Sequence, residues 1–211
     1  MYRHVIKRAL DLFLSLLALP FFLLLCLVVG SLIWAEDHGP IFYNAPRLGR
    51  NGRIFKMYKF RSMYVNAPDL RNRDGSTFNS EEDPRVTRIG RILRKTSIDE
   101  IPQILNILKG DMSLIGPRPD LPDALEIFTP EEARKLNVRP GITGYSQAYF
   151  RNSDDLRSRF RNDVYYADHV SFWLDVRIFF QTFATVLAHR NVYRNQGAAP
   201  EAERTKEPVE R

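Results

Sequence analysis

The longest apolar run in the chain extends from Leu12 to Ala35, LFLSLLALPFFLLLCLVVGSLIWA, without one charged side chain. By length it suits a bilayer, whose hydrocarbon core takes about 20 apolar helical residues. Pro20 lies near its middle. It offers no N–H to the Leu16 carbonyl and its ring crowds that carbonyl, so a bend or break is expected there. The two resulting legs, Val5 to Leu19 and Pro20 to Trp34, would each measure about 22 Å at the helical rise. That is short of a hydrocarbon core of about 30 Å. Arg3, Lys7 and Arg8 precede the run, and Arg47, Arg50, Arg53 and Lys56 follow it. A spanning helix concentrates cations on its cytoplasmic side, whereas here both flanks are basic. Two readings stand: a re-entrant hairpin that enters one leaflet and returns, and a kinked spanning helix, in which proline is tolerated. A cleaved signal peptide fits less well, because the run is long and no small-x-small site follows.

Beyond Trp34 the pattern shortens. GPIFYNAPRLGRNGRIFKMYKFRSM alternates turn residues with runs of Ile, Phe and Tyr, which predicts a β-hairpin turning at or near Asn51-Gly52. Residues 66–84 are polar and turn-rich and read as a long loop. Helical spacing returns in RVTRIGRILRKTS and in DEIPQILNILKGD, which should stop at Gly110. MSLIGPRPDLP, with three prolines and a glycine, cannot be one helix. TPEEARKLN predicts a short capped helix, and RPGITGYSQ is again rich in turns. In SFWLDVRIFFQTFATVLAHR, Phe172, Trp173, Val176, Phe179, Phe180, Phe183 and Leu187 share one broad face, with Asp175, Arg177 and Gln181 off it. Such a stripe usually packs into a core; its aromatic density also suits a helix lying in a membrane interface. The last residues, GAAPEAERTKEPVER, are polar and read as a disordered tail.

Composition narrows the partners. The chain has 211 residues, 44% of them apolar and 27% charged, enough for one folded domain with a core. A formal net charge of +6 favours anionic partners: lipid head groups, phosphates or nucleic acid. Cys26 is the single cysteine and lies inside the apolar run, which excludes an intrachain disulfide and a thiolate metal cluster.

The candidate chemistry sits in RKTSIDEIPQ, where Asp99 and Glu100 are adjacent. Ser97 and Glu100 have the spacing of a capping box, which by itself would explain both. The same helix start would also attract phosphate and keep Asp99 ionised, as a carboxylate nucleophile must be. Adjacent helical residues diverge by about 100°, so the two carboxylates would hold separate roles rather than share a proton. Lys59, Arg94, Lys95 and Arg118 are the cations available to steady a transferred phosphoryl group, with a divalent cation completing the charge balance.

Five blocks in order, YRHVIKRALD, IFKMYKFRSM, RILRKTSIDEIPQILNILKGDMSLIGPRP, RPGITG and DVYYADHVSFWLDVRIFFQT, resemble the bacterial sugar transferases, specifically the small monotopic phosphoglycosyl transferases. The resemblance covers most of the chain, and the central block is long and specific. It implies an enzyme that moves a phospho-sugar from a UDP-sugar to undecaprenyl phosphate and releases UMP by a ping-pong route. Asp99 would be the nucleophile and would hold Mg²⁺. Glu100 would handle the proton. Lys59, Arg94, Arg118 and Asp175, and more weakly Arg139, fall on motif positions of the substrate and phosphate site. The family fold implied is mainly α with a small β-hairpin (α+β). It comprises a membrane helix re-entrant at Pro20 (residues 1–35), a compact cytoplasmic catalytic domain with amphipathic interface helices (residues 36–195) and a tail (residues 196–211). The implied location is the bacterial inner membrane, on its cytoplasmic face, against anionic phospholipid. Nucleic acid is not an expected partner. Many members have Ser-Pro at the helix break, where this chain has Leu19-Pro20; Ser15, one turn earlier, is expected to satisfy freed backbone groups. A nucleotide-sugar pyrophosphatase and a non-catalytic lipid-binding scaffold are the competing functions.

Overall fold

The computed structural model describes residues 1–70, 78, 80, 82–150 and 155–187. The fold is mainly helical with two small sheets, an α+β arrangement. The apolar run forms α1, Lys7–Asp37, after a π-helical turn at Tyr2–Ile6. Helix geometry continues through Pro20, so the two legs expected from the sequence are one helix. A proline removes one intrahelical bond and crowds one carbonyl; the turns on either side carry the helix past it. Ser15 does not take the part expected of it: it is buried and its hydroxyl has no hydrogen-bond partner.

The buried positions of α1, Asp11, Ser15, Phe22, Val29, Gly30 and Ile33, make one stripe along its length. Phe22, Val29 and Ile33 join Phe60, Leu93 and Ile104 in a common core. Phe13, Leu16, Leu17, Phe21, Leu24 and Leu27 face outward. Both ends of the helix are fastened to the same body. Near its start, Arg8 donates to the carbonyls of Ile107 and Leu108 at 2.7 and 3.3 Å, and Asp11 accepts from the Leu114 N–H at 3.0 Å. At its end, Glu36 accepts from the N–H groups of Arg88 and Ile89 at 2.7 and 3.2 Å, and Asp37 pairs with Arg61.

The predicted hairpin is β1, Phe42–Leu48, antiparallel to β2, Ile54–Phe60. Asn51 and Gly52 lie in its turn at φ 58° and 74°, a region these two residue types reach at least cost. Helix α2, Arg88–Thr96, begins at Thr87, whose hydroxyl accepts from the Gly90 N–H at 2.9 Å. Ser97 then closes α2 in a left-handed conformation, φ 59°, with its N–H on the Arg94 carbonyl. A 3₁₀ segment, Ile98–Gln103, follows and leads into α3, Ile104–Lys109, which ends at Gly110 as expected. The capping box expected at Ser97 and Glu100 therefore does not form, because the Ser97 side chain makes no cap and its backbone terminates the preceding helix. A capping box forms instead at Thr129 and Glu132, with reciprocal bonds of 2.9 and 3.2 Å. It opens the 3₁₀ segment Glu132–Asn137, which is the short capped element expected from TPEEARKLN.

The proline-rich stretch contains β3, Ser113–Ile115, which pairs in parallel with β4, Gly141–Thr143. A Cβ at Gly116 would strike the Arg139 carbonyl, and one at Gly141 would strike the Gly116 nitrogen, so GPRP and RPGITG meet only because both carry glycine. Helices α4, Tyr145–Tyr149, α5, Leu156–Asp168, and α6, Phe172–Leu187, complete the body. The stripe of α6 is not core. Phe172, Trp173, Phe179, Phe180 and Phe183 are exposed, while Asp175 and Ile178 face inward. The expected tail, 196–211, lies outside the described residues.

Candidate active site

Asp99 stands near the start of the 3₁₀ segment and is 8% exposed, with Glu100 beside it. Lys59 reaches both from β2. Side chains on a strand alternate in direction, and Phe55 and Met57 face inward, so Lys59 occupies the next inward position of the same face. Its Nζ donates to Glu100 Oε1 at 2.6 Å and lies 4.0 Å from Asp99 Oδ2. Asn106 of α3 fixes that part of β2. It is fully buried, donates to the Lys56 carbonyl at 2.8 Å and accepts from the Tyr58 N–H at 2.9 Å.

Arg118 approaches Glu100 from the other side, with Nη2 at 3.7 Å from Oε1. Its loop is pinned on both flanks: the Pro117 carbonyl accepts from Gly141 and the Asp120 carbonyl from Leu48, each at 2.9 Å. The Asp120 carboxylate is held by Lys135 at 2.5 Å and Arg159 at 3.2 Å, and Lys135 also meets Asp163 at 2.5 Å. Arg94, at the end of α2, donates to the Ser62 hydroxyl at 3.0 Å and contributes positive potential at Asp99.

Burial dominates the electrostatics of Asp99. Desolvation raises its pKa from 3.8 to about 6; Lys59, Arg94 and Arg118 oppose the rise and the Glu100 charge adds to it. Burial thus works against the helix-start field expected to keep Asp99 ionised. At pH 7 a group of pKa about 6 is still about nine-tenths ionised, so a carboxylate that is poorly solvated and available for attack is present.

The site unites Asp99, Glu100, Lys59 and Arg118, with Arg94 acting on it through its charge. Two candidates have their contacts elsewhere. Asp175 accepts from Tyr2 at 2.5 Å, Lys7 at 2.7 Å and Tyr166 at 2.7 Å, tying the N-terminal turn to α5 and α6. Arg139 donates to the Gly110 carbonyl at 2.9 Å and has Arg8, Arg50 and Asp11 as charged neighbours. Asn106 escaped the sequence reading, although a polar residue between Ile104 and Ile107 on an apolar stripe is a usable signal.

Among the described residues no group of three or more His, Cys, Asp or Glu side chains could hold a metal ion. Asp99 and Glu100 supply two neighbouring carboxylates, which fits the way Mg²⁺ binds through one or two carboxylates, substrate phosphates and water. Two adjacent carboxylates within ion-pair reach of a lysine and an arginine thus share a body that carries, among the described residues, one helix long and apolar enough by length and composition to cross a membrane. The bacterial sugar transferase profile matches residues 2–189. The chain is 42% identical over 188 residues to the UDP-N-acetylgalactosamine-undecaprenyl-phosphate N-acetylgalactosaminephosphotransferase of Aeromonas hydrophila, covering 86% of this chain and 44% of that one. It is 40% identical over 169 residues to the undecaprenyl-phosphate galactose phosphotransferase of Salmonella typhimurium, covering 75% and 36%. Against the uncharacterized sugar transferase EpsL of Bacillus subtilis the identity is 38% over 197 residues, 93% and 95% of the two chains. The chain belongs to the bacterial sugar transferase family. It spans less than half the length of the Aeromonas and Salmonella relatives.

Proposed function

We propose that this protein transfers a phospho-sugar from a UDP-sugar to undecaprenyl phosphate, by a ping-pong route through an aspartyl intermediate. The observation that carries the reading is the buried Asp99 carboxylate beside a Glu100 held by Lys59 and Arg118. An Asp99 oxygen attacks the phosphorus that bears the sugar. The bond from that phosphorus to the oxygen bridging the two phosphates breaks, and UMP leaves with the bridging oxygen. The acyl phosphate so formed is then attacked at the same phosphorus by an oxygen of the lipid phosphate. Its acyl-oxygen bond to phosphorus breaks and the Asp99 carboxylate returns. Glu100 takes the proton of the attacking lipid phosphate, and Lys59 keeps its carboxylate directed at the site. Lys59, Arg94 and Arg118 steady the charge on the transferred group. Asp99, with Glu100 adjacent, would hold Mg²⁺, which supplies neutralisation of phosphate charge when bound.

The setting proposed is the cytoplasmic face of the bacterial inner membrane, with α1, helical on both sides of Pro20, bent at that proline so that it enters and leaves one leaflet. Attachment of both ends of α1 to one body supports this, as do the outward apolar faces of α1 and α6 and the positive net charge, which suits anionic phospholipid. Nucleic acid has no part in the reading.

Intact-protein mass spectrometry after incubation with a UDP-sugar and Mg²⁺, without lipid acceptor, should detect a species heavier by one phospho-sugar. Asp99→Asn should not acquire it. Absence of the adduct in the unmodified protein across a panel of UDP-sugars sinks the covalent route. Release of free sugar phosphate without lipid would instead mark a pyrophosphatase.

A further inference from the structure

Away from Asp99, the first turns of α1 border a second cationic recess. It is a small cleft, open to solvent, lined by Arg3, His4, Arg8, Arg50, Ser113 and Arg139 among others. None of Lys59, Asp99, Glu100 and Arg118 lines it. Three of its arginines are anchored by neutral groups. Arg3 donates to the Asn137 carbonyl, Arg8 to those of Ile107 and Leu108, and Arg139 to that of Gly110. Among the described residues, none of these three or Arg50 forms an ion pair with a carboxylate. Asp11 lines the cleft as well, but its Oδ1 already accepts from the Leu114 N–H, and Lys7 is engaged by Asp175. Burial, then the repulsion of Arg8 and Arg50, hold the Arg139 guanidinium below the usual arginine range.

A second observation points the same way. Ser113 is 1% exposed, lines this cleft, and its hydroxyl has no hydrogen-bond partner. A buried hydroxyl without a partner costs free energy, and so does crowding several guanidinium groups around the one lining carboxylate, Asp11, which pairs with none of them. A phosphoryl oxygen relieves both: it accepts from the hydroxyl and from guanidinium groups, which match phosphate geometry.

We propose that the cleft of Arg3, Arg8, Arg50, Ser113 and Arg139 is a second anion site, binding a phosphoryl group separately from the Asp99 centre. Its source is either the head group of an anionic phospholipid or soluble phosphate. The start of the apolar run at Leu12, just beyond these residues, puts the cleft at head-group level when α1 is embedded.

The test uses the full chain in detergent micelles, in an Arg118→Gln background that weakens phosphate binding at the Asp99 centre. Equilibrium dialysis with radiolabelled inorganic phosphate should yield one bound phosphate per chain. Arg50→Gln, at an exposed residue, should weaken that binding about tenfold, and Arg139→Gln likewise; exposed Arg91→Gln should leave it unchanged. Native mass spectrometry from nanodiscs of phosphatidylcholine and phosphatidylglycerol separates the sources. Phosphatidylglycerol retained by the parent protein, lost in Arg50→Gln and displaced by phosphate identifies a head-group site. Phosphate binding with no retained lipid identifies a soluble anion. Equal phosphate affinity with and without Arg50 and Arg139, or binding of neither phosphate nor lipid, overturns the proposal. None of these outcomes bears on the aspartyl adduct, which tests the Asp99 centre alone.

Discussion

At the scale of the residue, Asp99 shows a conflict between stability and chemistry. Its folded pKa, about 6 against an ordinary 3.8, means that the folded state favours the protonated carboxyl. The stability this contributes is complete below about pH 3.8 and is lost as the pH rises through 6. At pH 7.5 the ionised carboxylate therefore costs on the order of 3 kcal/mol. Asp99→Asn should be more stable than the parent protein by about that amount at pH 7.5, with the gap closing toward pH 4. Urea unfolding in chelator-containing micelles measures both ends of this range; a gap independent of pH contradicts it. Lys59 has the opposite character, since it lowers the cost of the site. Lys59→Met should slow adduct formation about 100-fold, read as the single-turnover rate by mass spectrometry.

At the scale of the element, the site depends on how β2, α2, α3 and the GPRP loop are held. Asn106 is the clamp on β2. Asn106→Leu removes both of its bonds to β2 and leaves the Tyr58 N–H and the Lys56 carbonyl without that partner, so a loss of about 2–4 kcal/mol is expected in urea unfolding. Gly90 has a related role: a Cβ there would collide with the Ser62 carbonyl, the backbone of the residue whose hydroxyl holds Arg94. Gly90→Ala should lower Tm and adduct yield together, whereas a Tm equal to that of the parent protein would mean that α2 shifts freely. These elements were unequally legible in the sequence. The hairpin, α2 and the stop at Gly110 rest on local signals: strand alternation, the Asn-Gly turn, helical spacing. Even local patterns compete, however. Two Ser/Thr-x-x-Glu stretches offered capping boxes, and only Thr129 with Glu132 used one, because Ser97 was already needed in the left-handed region to end α2. The pairing of Asp175 with Tyr2 and Lys7, and the capping of α2 by Glu36, bridge distant parts of the chain that no local pattern connects. The same holds for the site. Asp99 and Glu100 stand out in the sequence as candidate chemistry, but the rise in the Asp99 pKa comes from a burial that only the folded chain creates.

At the scale of the whole molecule, α1 and α6 present apolar surface outward while turning polar groups inward. Asp11 and Ser15 lie on the inner face of α1 and Asp175 on that of α6, whereas Phe21, Leu24, Trp173 and Phe180 are outside. This reverses the usual soluble helix and suits a lipid boundary. With Cys26 replaced by serine, single cysteines introduced before Lys7 and after Arg50 should both react with an impermeant thiol reagent from the cytoplasmic side only. Labelling from opposite sides would require a spanning helix. The shared core of Phe22, Val29 and Ile33 with Phe60, Leu93 and Ile104 carries a further consequence for how such a protein can evolve or be engineered. Helix α1 is not a detachable cassette. A version of the chain starting at Glu36 would uncover the apolar wall beneath Asp99, and grafting a foreign transmembrane helix in its place would leave that wall just as bare. Helix α1 and the body that carries Asp99 must change together, as two halves of one folding unit.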